Sequence, residues 1–192
     1  GIYRGADEGI LISDRPLGGA DTLATSYTLA QAIKKVGDYD IILCGRQAID
    51  GDTAQVGPQV AEKLGLTQIT YTEEIISLDK EAKKIVAKRH IDGGVETVEG
   101  PLPIVVTVNG SAAPCRVRNV KRGWANKNRE FTTWGAADIE ADPAQIGKAG
   151  SPTNVKAVKS IVFKVKENKT LTSSDADVES LIVELMESNT IG

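Results

Sequence analysis

Two unbroken apolar runs, Ile41-Ile-Leu-Cys44 and Ile104 to Val108, punctuate this chain. Such runs predict strands covered on both faces, as in a parallel sheet. Upstream, Ile10-Leu-Ile-Ser13 reads as a short strand, preceded by a helix remnant and turn over Gly1 to Gly9. A loop with Pro16, Gly18 and Gly19 leads to Asp21, which can cap a helix running to Val36. Leu29, Ile33 and Val36, widened by Tyr27 and Ala30, form its apolar stripe. A second helix follows the Ile41 run, with Val56, Val60 and Leu64 at i, i+4 and i+8 before Gly65 stops it. The resulting βαβα order implies a parallel sheet with right-handed crossovers.

After Gly65 the period changes to two. Thr67 to Ile76 is rich in β-branched and aromatic residues, and from Lys84 to His90 Ile85, Ala87 and Arg89 alternate with Val86, Lys88 and His90. Asp92-Gly-Gly supplies a turn, so Ile85 to Ile91 and Val95 to Val98 are expected to form an antiparallel hairpin. Pro101 and Pro103 introduce the second apolar run as an inner strand. From Asn109 to Ala141 the chain is polar and poorly periodic, and Gly147 to Pro152 reads as a flexible segment. Ile161 to Val165 is expected as a last strand. Asp175 to Met186 is expected as a terminal helix whose Val178, Leu181, Ile182 and Leu185 pack internally.

Composition narrows the chemistry. With 192 residues, 41% hydrophobic and 26% charged, the chain fits one domain with an appended arm. A net charge of −3 argues against a nucleic-acid surface, and no run of about 18 apolar residues predicts a membrane span. Cys44 and Cys115 lack framework spacing, which fits a reducing compartment and structural or inert thiols. His90 is the one histidine; it sits in a strand-like run and is read as scaffold, which disfavours a Ser-His-Asp hydrolase. No metal-ligand spacing is present, so no metal or catalytic residue is assigned and chemistry must come from a bound cofactor.

The richest stretch is Asp38 to Gly57, where strand, polar loop and helix start follow one another. The loop lies at the carboxyl end of a strand, the ligand side of open α/β sheets, where free N–H groups and the helix dipole favour an anion. Asp50, Asp52 and Thr53 all suit a helix cap. Pro58 cannot donate to the carbonyl of Ala54, so either the helix begins at Gly57-Pro58 or its first turn is distorted. Both arrangements leave amides unpaired around Thr53 to Val56. The two aspartates are assigned to capping or ribose hydroxyls and Arg46 to charge balance. Gly147-Lys148 lacks the spacing of a Walker loop. Arg116, Arg118, Lys121, Arg122, Lys127 and Arg129 form either a docking patch or a solvated loop; Val120 and Trp124, apolar on a charged loop, favour docking.

Gly45-Arg-Gln-Ala-Ile-Asp-Gly-Asp-Thr-Ala-Gln-Val56 resembles the signature of the electron transfer flavoprotein β subunit. The likeness continues through His90-Ile-Asp-Gly-Gly-Val-Glu-Thr97, Leu102 to Thr107, the Arg116 to Lys127 loop and Ile146 to Thr153. The family's opening strand and a Val-Lys-x-Val-Pro-Asp-like loop would precede Gly1. The resemblance implies a Rossmann-like α/β fold of the adenine nucleotide α-hydrolase-like type, a mainly parallel sheet flanked by helices with an antiparallel hairpin. Residues 1–150 would be the nucleotide-binding domain and 151–192 a C-terminal arm and helix packing on an α subunit that carries a redox-active FAD.

Ser13 to Thr25 is similar to the segment associated with the bifurcating type, although Pro16-Leu17 replaces the family's usual aromatic. That type holds a second FAD, which takes a hydride from NADH and serves ferredoxin or flavodoxin and an acyl-CoA dehydrogenase-like partner. The respiratory type holds AMP in its place. Carried over, Gly45, Arg46, Gln47, Ala48, Ile49, Asp50, Gly51, Asp52, Thr53, Ala54, Gln55 and Val56 would cradle the adenosine and phosphates. Asp21, Thr22 and Thr25 would meet a flavin's polar edge, Gly18 and Gly19 would permit close approach, and Val120, with Trp124 nearby, would dock the partner. A stand-alone adenine-nucleotide sensor on the same βαβ unit is the alternative of a different class.

Overall fold

The chain opens with a short 3-10 turn, Ile2–Arg4, and strand β1, Ile10–Ile12. Helix α1 is Thr22–Val36, β2 Ile41–Gly45, α2 Val56–Leu64 and β3 Thr67–Asp79. Then come β4, Lys84–Ile91, β5, Gly94–Pro101, β6, Ile104–Val108, α3, Val120–Ala125, and β7, Thr132–Trp134. These belong to a unit spanning Gly1–Asn154; a second unit, Val155–Gly192, contains α4, Asp175–Glu187. The structure is a computed structural model and describes residues 1–158 and 168–191, so the expected strand Ile161 to Val165 lies outside the described residues.

Five strands form one mixed sheet in the order β2-β6-β3-β4-β5. The first three are parallel, and β4 and β5 join as an antiparallel hairpin. The hairpin turns where expected: Ile91 faces Gly94, and Gly93 takes a φ of 84°. Strand β6 is the inner strand of the sequence reading, with Ile104, Val105 and Val106 wholly buried. Ile69, Ile85, Ala87, Leu102, Ile104 and Val106 make one apolar cluster, with Ile41 and Val98 packed against it.

The other apolar run behaves differently. Among the described residues β2 pairs only with β6, and Leu43 is 61% exposed, so Ile41 to Cys44 is an edge strand and not one covered on both faces. Hydrophobicity alone does not separate these two positions. The βαβ unit is also displaced by one element. Strand β1 leaves the main sheet and pairs in parallel with β7, Ile10 facing Thr132; the crossover within the sheet is β2-α2-β3. The polar region after Asn109 gave no sign of β7 or α3.

Helix α1 buries Ala24, Ser26, Thr28, Ala30 and Ala32, while Val36 is 56% exposed, so the predicted Leu29-Ile33-Val36 stripe is not its buried face. Small side chains let α1 lie close against α2, where Ser26 Oγ donates to Gln59 Oε1 at 3.1 Å. The segment Gly147 to Pro152 is held, not loose: Ile146 and Ser151 are buried. Gly147 has a φ of 51°, and a Cβ there would stand 2.0 Å from the Pro16 carbonyl oxygen. Its glycine marks close backbone approach. In α4, Val178, Leu181 and Ile182 are each more than 40% exposed, against the expectation of internal packing.

Ile104→Ala is expected to destabilise the fold by about 2–5 kcal/mol through loss of burial and a residual cavity. The check is a lowered urea midpoint with an unchanged m-value.

Candidate functional site

Strands β2 and β6 end together, Gly45 facing Val108, and the Arg46 amide donates to the Val108 carbonyl at 3.0 Å. Beyond this point an open cleft of about 460 Å³ is lined by Arg46 and Gln47 on one side and Val108, Asn109, Gly110 and Ser111 on the other. It stands at the carboxyl ends of parallel strands, where the sequence placed a ligand.

The loop after Gly45 is shaped by its own polar groups. Gln47 Nε2 donates to Asp52 Oδ1, and the Asp52 amide to the Ala48 carbonyl at 3.2 Å. Asp52 and Ala54 adopt left-handed φ values of 49° and 52°. None of Asp50, Asp52 or Thr53 caps α2; Gln55 is the N-cap and makes no side-chain capping bond. Pro58 is the third helical residue, where a missing N–H costs no helical bond. The amides of Thr53, Ala54, Gln55 and Val56 have no hydrogen-bond partner among the described residues. A left-handed residue followed by right-handed Gln55 turns successive N–H groups toward one side, an arrangement that suits an anion. Ile49 is 97% exposed and Gly51 is exposed, so the tip of the loop stands clear of the cleft floor.

The start of α1 joins this site. Thr22 Oγ1 donates to Gln55 Oε1 at 2.9 Å, which brings two helix N-termini together. Asp21 caps α1 as expected, Oδ1 accepting from the Leu23 and Ala24 amides at 3.0 and 3.1 Å. Its Oδ2 accepts from the amide and hydroxyl of Thr153 at 3.2 and 2.9 Å. Desolvation opposes ionisation, yet these bonds outweigh it and hold the carboxyl below its ordinary value of 3.8. Thr25 is half-buried, its amide bonded to the Asp21 carbonyl at 2.9 Å. What approaches Gly18 and Gly19 closely is this chain's own Gly147-Lys148.

Three features at the site escaped the sequence reading. Gly57 seats α2 on β6: a Cβ there would stand 2.5 Å from Thr107 Cγ2. Tyr71, at φ 57° in a β3 bulge, places its ring 5.7 Å from the Arg46 guanidinium carbon. The turn Asn109 to Ser111 forms a cleft wall. Thr107, the polar residue within the otherwise apolar Ile104 to Val108 run, was the available signal for the first; the others depend on register.

Elsewhere, Arg4 Nη1 donates to Cys115 Sγ at 2.7 Å and to the Arg116 carbonyl. Arg122 Nη2 reaches the Gly5 and Ala6 carbonyls and Asp7 at 3.1–3.3 Å. Arg129 donates to the Asp7 carbonyl. Arg122 and Arg129 of the basic run thus tie their loop to the N-terminal segment, and Arg4 ties that segment back to the loop. Val117 and Val120 are each 85% exposed and Trp124 74%, with Lys127 Nζ 4.4 Å from the Trp124 ring centroid. A larger cleft of about 520 Å³, lined by Tyr3, Arg118, Lys127 and Phe131 among others, adjoins this loop, away from the Arg46 cleft. Burial pushes the Cys44 thiol up, which fits an inert role. Among the described residues no helix is long and apolar enough to cross a membrane.

The model of the electron transfer flavoprotein domain matches residues 2–139. The electron transfer flavoprotein subunit beta of Megasphaera elsdenii is 41% identical over 197 residues, covering 96% of this chain and 72% of its own length. That of Clostridium acetobutylicum is 46% identical over 81% of this chain and 58% of its own. The chain belongs to the electron transfer flavoprotein β-subunit family. A further relative, the caffeyl-CoA reductase-Etf complex subunit CarD of Acetobacterium woodii, is 44% identical over 80% of this chain and 58% of its own length. This β-subunit chain thus spans somewhat over half the length of two of these relatives and nearly three quarters of the other.

In this electron transfer flavoprotein chain, Gly57→Ala is expected to cost about 1–3 kcal/mol by forcing α2 off β6. Chemical denaturation measures that loss, and the variant should also bind adenine nucleotide more weakly. Asp21 stabilises the fold above its unfolded pKa, and that contribution is lost as pH falls below 3.8 through the lower folded value. Asp21→Asn should therefore flatten the acid limb of stability against pH, read from denaturant midpoints at successive pH values.

Proposed function

We propose that this chain is the β subunit of a flavin-based electron-bifurcating flavoprotein. It would oxidise NADH at a β-bound FAD and pass electrons to ferredoxin or flavodoxin. The other route runs through the FAD of the α subunit to an acyl-CoA dehydrogenase-like enzyme. The observation that carries the reading is the row of unpaired amides from Thr53 to Val56, at the helix start that Gly57 seats against Thr107 and Cys44 near the strand ends, which fits the phosphate end of an adenine nucleotide. In this reading Gly45 to Val56 hold adenosine and phosphates, Arg46 balances charge and Asp50 meets ribose hydroxyls. Thr22, joined to that loop through Gln55, and Thr25 one turn of α1 further on would face the flavin edge. When bound, the flavin supplies hydride acceptance and single-electron transfer.

Val120 and Trp124 form the docking point for the acyl-CoA dehydrogenase-like partner, and residues 151–192 pack on the α subunit. The exposure of Val120 and Trp124, and of Val178, Leu181 and Ile182 in α4, supports both assignments. The name of the CarD relative, which places it in a CoA-ester reductase complex, supports the partner class. One observation favours a second reading, a non-bifurcating carrier with AMP in this site: the Asp21 carboxylate is already engaged by four donors of its own chain. Purification with the α subunit and a flavin count separates the two. Two FAD per heterodimer is the expected result; one FAD with AMP would replace the first reading by the second.

A further inference from the structure

Strand β3 reaches the cleft through an irregularity. Ile69 faces Val106 but Thr72 faces Val108, so one extra residue is inserted on β3, and Tyr71 takes a left-handed φ of 57° there. Tyr71 N donates to Thr107 Oγ1 at 3.1 Å, which fixes the bulge on β6. Bulges re-aim the side chains around them. Here Tyr71 lies beside Arg46 of one cleft wall, and Glu73, with only 16% of its side chain exposed, bonds to Ser111 of the other.

Glu73 Oε1 accepts from Ser111 Oγ and lies 3.3 Å from His90 Nδ1 on β4. Ser111 Oγ in turn accepts from Asn109 Nδ2 at 2.8 Å, and the Asn109 amide donates to the Thr72 carbonyl at 2.9 Å. The turn closes on itself through the Ala112 amide and the Asn109 carbonyl at 3.2 Å. The wall opposite Arg46 is thereby tied to β3 by a carboxylate that does not line the cleft. A half-buried acid is costly unless its oxygens are bonded, and Glu73 meets that cost through the turn and through His90.

We propose that Glu73 is a positioning residue of the adenylate site: it holds the Asn109 to Ser111 turn at a fixed distance from Arg46, so that the cleft is shaped before the nucleotide arrives. This rests on the reading of the cleft as a nucleotide site. Neither Glu73 nor the turn needs to touch the reacting flavin ring.

The test uses the chain purified with its α subunit, as wild type, Glu73→Ala, Glu73→Gln, Ser111→Ala and the Glu73→Ala/Ser111→Ala double variant. The affinity for AMP and for FAD is titrated after removal of bound nucleotide. Glu73→Ala and Ser111→Ala should each weaken binding about tenfold, and the double variant no further, because both break one link. Glu73→Gln, which keeps an acceptor for Ser111, should stay near wild type. Additive losses, or a Glu73→Gln loss equal to that of Glu73→Ala, would overturn the proposal. Amide hydrogen exchange on nucleotide-free samples reads the same link without ligand: the 109–113 amides should exchange faster in Glu73→Ala than in Glu73→Gln. Wild type that binds neither nucleotide would remove the functional reading, while the exchange comparison alone would then decide the role of Glu73.

Discussion

Thr107 is where strand, bulge and helix meet. Its methyl group occupies the space a side chain at residue 57 would need, and its hydroxyl accepts from the amide of Tyr71 at the β3 bulge. One wholly enclosed residue therefore sets the height of the α2 N-terminus above the sheet and the point at which β3 breaks register with β6. The cleft exists because these two settings agree. A bulkier residue at 57 would lift the amides of the loop away from the strand ends, and without the hydroxyl the bulge would lose its anchor.

The site is built chiefly from main chain. Arg46 is the cation beside the cleft, and it shares its charge with the face of Tyr71. The remaining attraction for an anion comes from amide groups and from two helix starts held together by Thr22 and Gln55. Such an arrangement is fixed before a ligand binds and loses little side-chain entropy on binding.

The basic loop around α3 divides its labour in a way composition does not reveal. Arg4, Arg122 and Arg129 point at carbonyl oxygens and at Asp7, and so fasten the loop. With those cations turned inward, Val117, Val120 and Trp124 are left outward, and Lys127 covers the indole. Apolar side chains held outward on a fastened loop are suited to burial in a partner, where rim charges steer the encounter more than they add affinity.

Local pattern was enough to place α1, α2, the β4-β5 hairpin, the inner strand β6 and the loop at the carboxyl end of β2, because each obeys a period or a turn rule within a few residues. The Asp21 cap was legible for the same reason. Tertiary structure decided the rest. Whether Ile41 to Cys44 is an edge or an inner strand depends on which neighbours arrive, and β1 found its partner in β7, more than a hundred residues away. Gly147 to Pro152 reads as a flexible segment, yet Gly147 is a point of backbone contact, since glycine serves both uses and only the approaching Pro16 carbonyl tells them apart. The bulge that sets Tyr71 and Glu73 behind the two cleft walls is a matter of register between β3 and β6, a relation between strands that neither strand's own residues express.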